Sequence, residues 1–476
     1  MVQADRAFDK VAVTADGKGM VSLAGAGLLA LCADRVGLTR ALGQGMWGMR
    51  RRRGRHDPGR VVRDLAVMLA AGGDSVCDLA ALRGQDKLFG AVASDATARR
   101  AIAWIAAKPA RLDALRAARA KARARAWKLG ARPEHVEIDI DATLLAAYSE
   151  KEGAAGTFKH SYGHHPINAY LDGSREALAA ILRPGNAGSN TAADQIAVVD
   201  LALEQLPQEV VESAAILVRA DGAGAVHELL DYLRAGSMRF SVGFDLTAPV
   251  RQAIIDLPES AWQLAICQDG TPRVKPGDDG QAVELAHVAE LTGLVNLDGW
   301  PEGSRLIARR ERLHGEQQLR LFADHGQWRL EVFLTDKPAD PAINADADTP
   351  AVDRHADEIR ELDRRHRRHA VVEDRIREAK DTGMRNLPFP DMARNQIWLE
   401  LVLIAQDLIA WTQALALDGE LAHCEVKRLR YRVIHQAGRV VHSARQTRLR
   451  LQHDWPWANE LAHAFTRLQA LPAPAD

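Results

Sequence analysis

The chain has 476 residues, with 62 Lys and Arg against 63 Asp and Glu and 47% hydrophobic residues. That length suits two to four domains of roughly 100–200 residues and excludes a peptide hormone or disulfide mini-protein, while the ordinary composition excludes wholesale disorder and fibrous repeats. A formal net charge of -1 leaves any affinity for a polyanion to local clusters, and four scattered cysteines without a C-x-x-C pair argue against a cysteine-held zinc and fit a reducing, cytoplasmic setting.

Met1-Val-Gln-Ala-Asp-Arg opens with polar residues and lacks the apolar run of a signal peptide. A short hairpin is expected in Val11–Lys18 around Asp16-Gly17, and the rest of residues 1–130 reads as a mostly helical domain. Ser94-Asp-Ala-Thr-Ala-Arg-Arg opens a capped helix that presents Thr97, Arg99 and Arg100, as the second helix of a helix-turn-helix would, or as an ordinary surface helix would. Residues 50–63 hold seven Arg, beginning with Arg50, Arg51, Arg52 and Arg53, against Asp57; residues 110–128 hold seven Lys or Arg against Asp113.

From Val136 short apolar strands alternate with turns: 136–141, 161–170, 176–182, 216–219 and 240–244, with helices at roughly 190–205 and 224–234. Strands in a row, then helix, strand, helix and strand, indicate a mixed α/β sheet with crossover helices. Thr191-Ala-Ala-Asp194 reads as a capping signature. Residues 247–350 look like an inserted β-rich unit, with strands at 306–311, 318–323 and 328–334, closed by the Pro- and Asp-rich link 337–350. A long helix follows from about 352 to 382, and 390–476 reads as helical. The apolar stretch Leu399–Leu417 carries Glu400, Gln406 and Asp407, which suits a buried helix and not a membrane span. Residues 426–450 hold eight basic residues and no acid, whereas 335–363 hold nine acids against three bases. Basic ends around an acidic middle suit a polyanion gripped by the flanks while the centre holds cations; solvated helix faces give the same runs.

Three constellations carry chemistry. Alternation in Glu137-Ile-Asp-Ile-Asp-Ala-Thr143 puts Asp139, Asp141 and Thr143 on one strand face, where two close carboxylates invite a cation, or where an exposed edge strand meets water. Asp221 follows an apolar strand and precedes a Gly-rich turn, at the carboxyl edge where open sheets bind ligands, or as a helix cap. His366, His369, Glu373 and Lys380 fall on one helical stripe, as metal and phosphate ligands or as a solvated ion-paired face. Oxygen donors without cysteine or a histidine triad select two Mg²⁺ or Mn²⁺ ions, which serve phosphodiester chemistry. His160, His164 and His165 lack zinc spacing and read as DNA-facing or merely polar.

On Asp139-Ile-Asp-Ala-Thr, Ser149-Glu-Lys-Glu-Gly-Ala-Ala, Leu182-Arg-Pro-Gly-Asn-Ala-Gly-Ser-Asn, Val218-Arg-Ala-Asp-Gly-Ala-Gly, Glu373-Asp-Arg-Ile-Arg-Glu-Ala-Lys-Asp-Thr-Gly and Asn395-Gln-Ile-Trp-Leu, in this order, the chain resembles the DDE transposases of bacterial insertion sequences, group 1 branch, over roughly residues 20–470. The resemblance implies a ribonuclease H-like core (131–246 and 351–415) interrupted by the β-rich insertion, flanked by an all-α DNA-binding domain and a basic helical C-terminal region (416–476). It implies a catalytic, metal-holding triad of Asp141, Asp221 and Glu373, with Asp139 as a further metal candidate; the family's Asp-x-Thr pattern favours Asp141. In the family's Tyr-(2)-Arg-(3)-Glu-(6)-Lys signature, His366 and His369 stand at the Tyr and Arg positions. His366, His369 and Lys380 are expected on phosphate, and Arg50 to Arg53, Arg99, Arg100, Lys427, Arg428 and Arg430 on DNA. The implied partners are terminal inverted repeats and target DNA, bound by a homodimer. A nuclease of the same fold that does not join strands, or an inactive DNA-binding derivative, shares these features.

Overall fold

The structure is a computed structural model describing residues 11–49, 56–277, 281–313, 328–336, 351–443 and 446–474, with side chains from 354 in the helix that begins at Ala351. Arg50 to Arg53, the expected strand 318–323 and the link 337–350 lie outside the described residues.

The N-terminal part is helical. Asp57 accepts hydrogen bonds from the amides of Gly59 and Arg60 and Pro58 takes the first position of helix α1, Pro58–Ala70. Ser94 accepts from the Thr97 amide to open α2, Asp95–Ala106, and α3, Pro109–Ala126, follows. The expected hairpin at Val11–Lys18 does not form. Instead Met20–Val21 pairs with Gly438–Arg439, because the apolar partners of Val21 come from the far end of the chain.

Among the described residues the central sheet has nine strands: β1 Glu137–Ala142, β2 Ile167–Leu171, β3 Ala177–Ile181, β4 Leu217–Ala220, β5 Arg239–Phe244, β6 Gln263–Leu264, β7 Ala286–Glu290, β8 Arg305–Arg312 and β9 Trp328–Thr335. Their spatial order is 6-7-8-9-5-4-1-2-3. β1, β2 and β3 pair antiparallel, whereas β4 runs parallel to β1 and β5 parallel to β4. The crossovers use α4, Ala192–Leu203, and α5, His227–Ala235. This five-strand arrangement is the expected ribonuclease H-like core. The capping signature at Thr191 places the start of α4 correctly, but Thr191 makes no cap and Asp194 is taken by Arg183 at 2.9 Å.

The β-rich insertion is not a separate all-β unit. It opens with helix Ala248–Asp256, and β9 then adds antiparallel to β5, so that β6 to β9 extend the core sheet from an edge that would otherwise be unpaired.

The long helical stretch is α6, Ala351–Arg367, a tight turn at Arg368–Ala370, and α7, Val371–Ala379. Helix α8, Met392–Ala416, is long and apolar enough to cross a membrane by length and composition, but 89% of its most apolar window is buried inside the protein. Its acids are paired: Glu400 with Arg116 at 2.7 Å, Asp407 with Arg123 at 2.6 Å. Arg123 also bonds Glu176 at 3.0 Å, and Trp127 and Trp411 donate to the same carboxylate. Part of the basic run 110–128 is therefore spent inside the fold, since Arg119 and Arg123 are buried. The C-terminal region is also not wholly helical: β10, Gly438–Ser443, and β11, Gln446–Leu451, form a hairpin.

Candidate metal and phosphate site

The site is built on two parallel strands in register. Ile138 and Ile140 of β1 point into the core, so the intervening acids lie on the opposite face. β1 and β4 pair with Asp139 beside Arg219 and Ile140 beside Ala220. Asp221 follows directly on β4 as Asp141 follows Ile140 in β1, close enough for its charge to act on the Asp141 carboxyl.

The first of these side-by-side pairs is an anchor. Arg219 is fully buried and clamps Asp139 through two 2.8 Å bonds. It also holds Glu137 at 3.0 Å and Asp172 at 2.7 Å, and donates to the Arg365 carbonyl of α6 at 2.8 Å. These anions hold the Arg219 guanidinium above its ordinary range despite burial. Burial alone would raise Asp172, but Arg368 and Arg219 bring it down to about 2. His369 Nδ1 lies 2.9 Å from Asp139 Oδ1.

Asp139, expected among the metal ligands, is thus corrected. Both its oxygens are committed to a buried guanidinium and one also to His369, so its charge is already compensated and a cation would gain little there. Its work is to fix His369 and the α6–α7 segment over β1. Sequence reasoning misses Arg219; the signal that finds it is a lone Arg in an apolar strand, which needs a carboxylate from a neighbouring strand.

The second pair is the acidic one. Glu373 follows His369 in the first turn of α7, near enough to Asp141 for its charge to act on that carboxyl. Burial, and then the charge of Asp221, raise the Asp141 carboxyl to about 6; Glu373 pushes the same way and His369 opposes. Asp221 and Glu373 are exposed and line one cleft of about 600 Å³ with Phe244, Val332, His366 and His369. Asp221 also accepts from the Ala223 amide at 3.0 Å, so it caps the Gly222–Gly224 turn while facing the cleft. Lys380 donates to Thr143 Oγ1 at 2.8 Å, and burial lowers its ammonium although Asp141 favours the charge.

Among the described residues no three His, Cys, Asp or Glu side chains stand close enough together to hold an ion as they are. The donor chemistry nevertheless fits a hard divalent cation: two carboxylates line the cleft and a third, Asp141, is near enough to feel both, with a like-charge penalty that a cation would relieve.

Two expected DNA contacts are corrected. His366 is stacked on Phe333 with centroids 4.2 Å apart and lies 2.9 Å from Ser241 Oγ. Burial pushes its imidazole down to about 3, so what it brings to the cleft wall is a ring held by Phe333 and Ser241 and not a standing positive charge. Arg430 is buried, donating to the carbonyls of Leu69, Ala70 and Asp381 and to Thr382 Oγ1; burial lowers it to about 10. It ties the C-terminal region to α1 and to the turn after Lys380. Arg99, Arg100, Lys427 and Arg428 are exposed. His164 and His165 are buried and stand 3.0 and 2.9 Å from backbone carbonyls, as polar packing groups.

Among solved structures, the chain is similar to a piggyBac transposase in a synaptic complex with hairpin DNA, at 10% identity over 86% of this chain and 80% of that one, with a TM-score of 0.39. No curated protein matches. The model of the transposase DDE domain group 1 family matches residues 4–473, which is nearly the whole chain, and the protein belongs to that family.

Proposed function

We propose that this transposase binds the terminal inverted repeats of its own element, cleaves the DNA at the ends and joins the freed 3′-hydroxyls to a target, as a homodimer on DNA in a bacterial cytoplasm. The observation that supports the chemistry is the parallel pairing of β1 and β4, at whose end the charges of Asp221 and Glu373 both act on the Asp141 carboxyl. These three residues would hold two Mg²⁺ or Mn²⁺ ions. Such a pair, when bound, makes an attacking water or 3′-hydroxyl more nucleophilic and stabilises the leaving oxygen.

The chain's own residues prepare the rest. Arg219 holds Asp139, and Asp139 holds His369 Nδ1. This fixes the ring at the cleft, with its other nitrogen as the one to meet a phosphate oxygen. Lys380, seated on Thr143 beside Asp141, adds a positive charge for the phosphate next to the cut. Exposed Arg99, Arg100, Lys427 and Arg428 supply affinity that falls with salt.

The test uses a duplex taken from the DNA that flanks the gene. Asp141→Ala, Asp221→Ala and Glu373→Ala should each abolish Mg²⁺-dependent cleavage while retaining binding, and normal cleavage by any two of them would end the assignment. Pre-cut ends supplied with a target distinguish strand joining from hydrolysis alone.

A further inference from the structure

We propose that the hairpin β10–β11 is a DNA-binding ribbon that lays its arginine face into the major groove of duplex DNA. The inference rests on the transposase reading above and assigns a second contact to DNA, away from the cleft.

The hairpin is two-faced. Val440, Leu449 and Leu451 pack with Val21, Ala24 and Leu88. By alternation Arg439, Arg448 and Arg450 occupy the opposite face, and all three are exposed. The register sets Arg439 directly across from Arg450, and Arg448 across from Val441. Like charges placed opposite one another are unfavourable without an anion between them. Among the described residues none of the three arginines makes an ion pair: Arg439 Nε donates to the Lys18 carbonyl and Arg448 to Gln446 Oε1. Residues 426–450 carry no acid at all.

The shape suits a groove. Met20–Val21 pairs only with Gly438 and Arg439; beyond Val440 the ribbon is two strands wide, a width the major groove admits. Six residues per strand give it a reach of roughly 20 Å. It is also held in a fixed place relative to the cleft. The turn before the hairpin is bound through Arg430 to Asp381 and Thr382, just past Lys380 on the segment that carries Glu373. DNA held on the ribbon is thereby held at a set distance from the acids. Charged side chains on an edge strand also discourage strand-to-strand aggregation, so the experiment must separate that role from DNA binding.

The test compares the full-length protein with the triple variant Arg439→Gln, Arg448→Gln, Arg450→Gln, and with the corresponding triple Lys variant. Binding of the flanking-DNA duplex and of a random duplex is followed from 50 to 200 mM salt. Each arginine in the groove neutralises about one flanking phosphate, so loss of the three charges should flatten the slope of log affinity against log salt by about 2.7, and over this range the Gln variant loses about 40-fold less affinity than the native protein. The Lys variant should keep the native slope, and melting should be unchanged in both. A native slope in the Gln variant overturns the ribbon and leaves the proposed function standing, whether or not that variant aggregates. A shift in the mass of the free protein with unchanged DNA binding would make this face a contact between copies, and also overturns it. A native protein that binds neither duplex removes the proposed function and the ribbon together.

Discussion

Replacing Asp141 by Asn should stabilise the metal-free protein at neutral pH while destroying its activity. The Asp141 carboxyl is raised from 3.8 to about 6, chiefly by burial and by the charge of Asp221. Its native pKa lies above its unfolded one, so the folded state binds the proton more tightly and is penalised wherever the group must ionise. The penalty is absent below pH 3.8, grows between 3.8 and 6, and is complete above 6. At about 1.4 kcal/mol for each tenfold change it reaches at most about 3 kcal/mol. Asn cannot ionise and escapes it. Thermal melts in EDTA should therefore place Asp141→Asn a few degrees above the native protein at pH 8, with the gap closing as the pH falls toward 4. Adding Mg²⁺ should raise the native protein and leave the variant nearly unmoved. A variant no more stable than the native protein at pH 8, with no convergence in acid, would mean that Asp141 does not face the other two acids, and the site would have to be redrawn.

Three further substitutions probe a corrected residue, its exposed neighbour and the core. Arg430→Ala should lower the melting temperature through loss of buried bonds to α1 and the Lys380 turn, at a cost of roughly 2–3 kcal/mol, whereas exposed Arg428→Ala should leave melting unchanged and weaken DNA binding in a salt-dependent way; the reverse pattern by melting and anisotropy would refute the assignment. Arg123→Ala should cost roughly 3–5 kcal/mol because it strands the buried carboxylates of Glu176 and Asp407, and a chemical denaturation midpoint equal to the native one would show that these acids are paired some other way.

What the sequence made legible was whatever depends on local pattern. The strands 136–141 and 216–219 announced themselves by apolar runs, and the three acids by their positions at strand ends and on a helical stripe. Ser94 is a cap whose chemistry acts within four residues. What stayed hidden depends on partners far along the chain. Nothing near Arg430 shows that its guanidinium will be surrounded by carbonyls from residues 69, 70 and 381, so it reads like its exposed neighbours Lys427 and Arg428. Arg119 and Arg123 look solvated in an Ala/Arg-rich helix until Glu176, Glu400 and Asp407 arrive from β3 and α8. The hairpin 438–451 alternates clearly enough, Val440 and Leu449 inward and Arg439 and Arg448 outward, but lies in a segment whose charge suggested a helical tail.

The choice between Asp139 and Asp141, which spacing alone leaves open, follows from one rule of parallel pairing. With β4 in register, Asp139 sits beside the Arg219 guanidinium, and just past the last pair Asp141 comes under the charge of the Asp221 carboxylate. A carboxylate beside a buried arginine is already neutralised and has nothing to gain from a cation. One beside another carboxylate, desolvated and facing a third, has a cost that a divalent ion removes. The same chemical group two residues apart thus becomes a structural anchor in one case and a candidate ligand in the other. The anchor in turn serves the ligand, because Asp139 fixes His369, and His369 sets the helical phase that carries Glu373 to the cleft. Converting Arg219 would therefore disturb the acidic site without touching any of its three carboxylates.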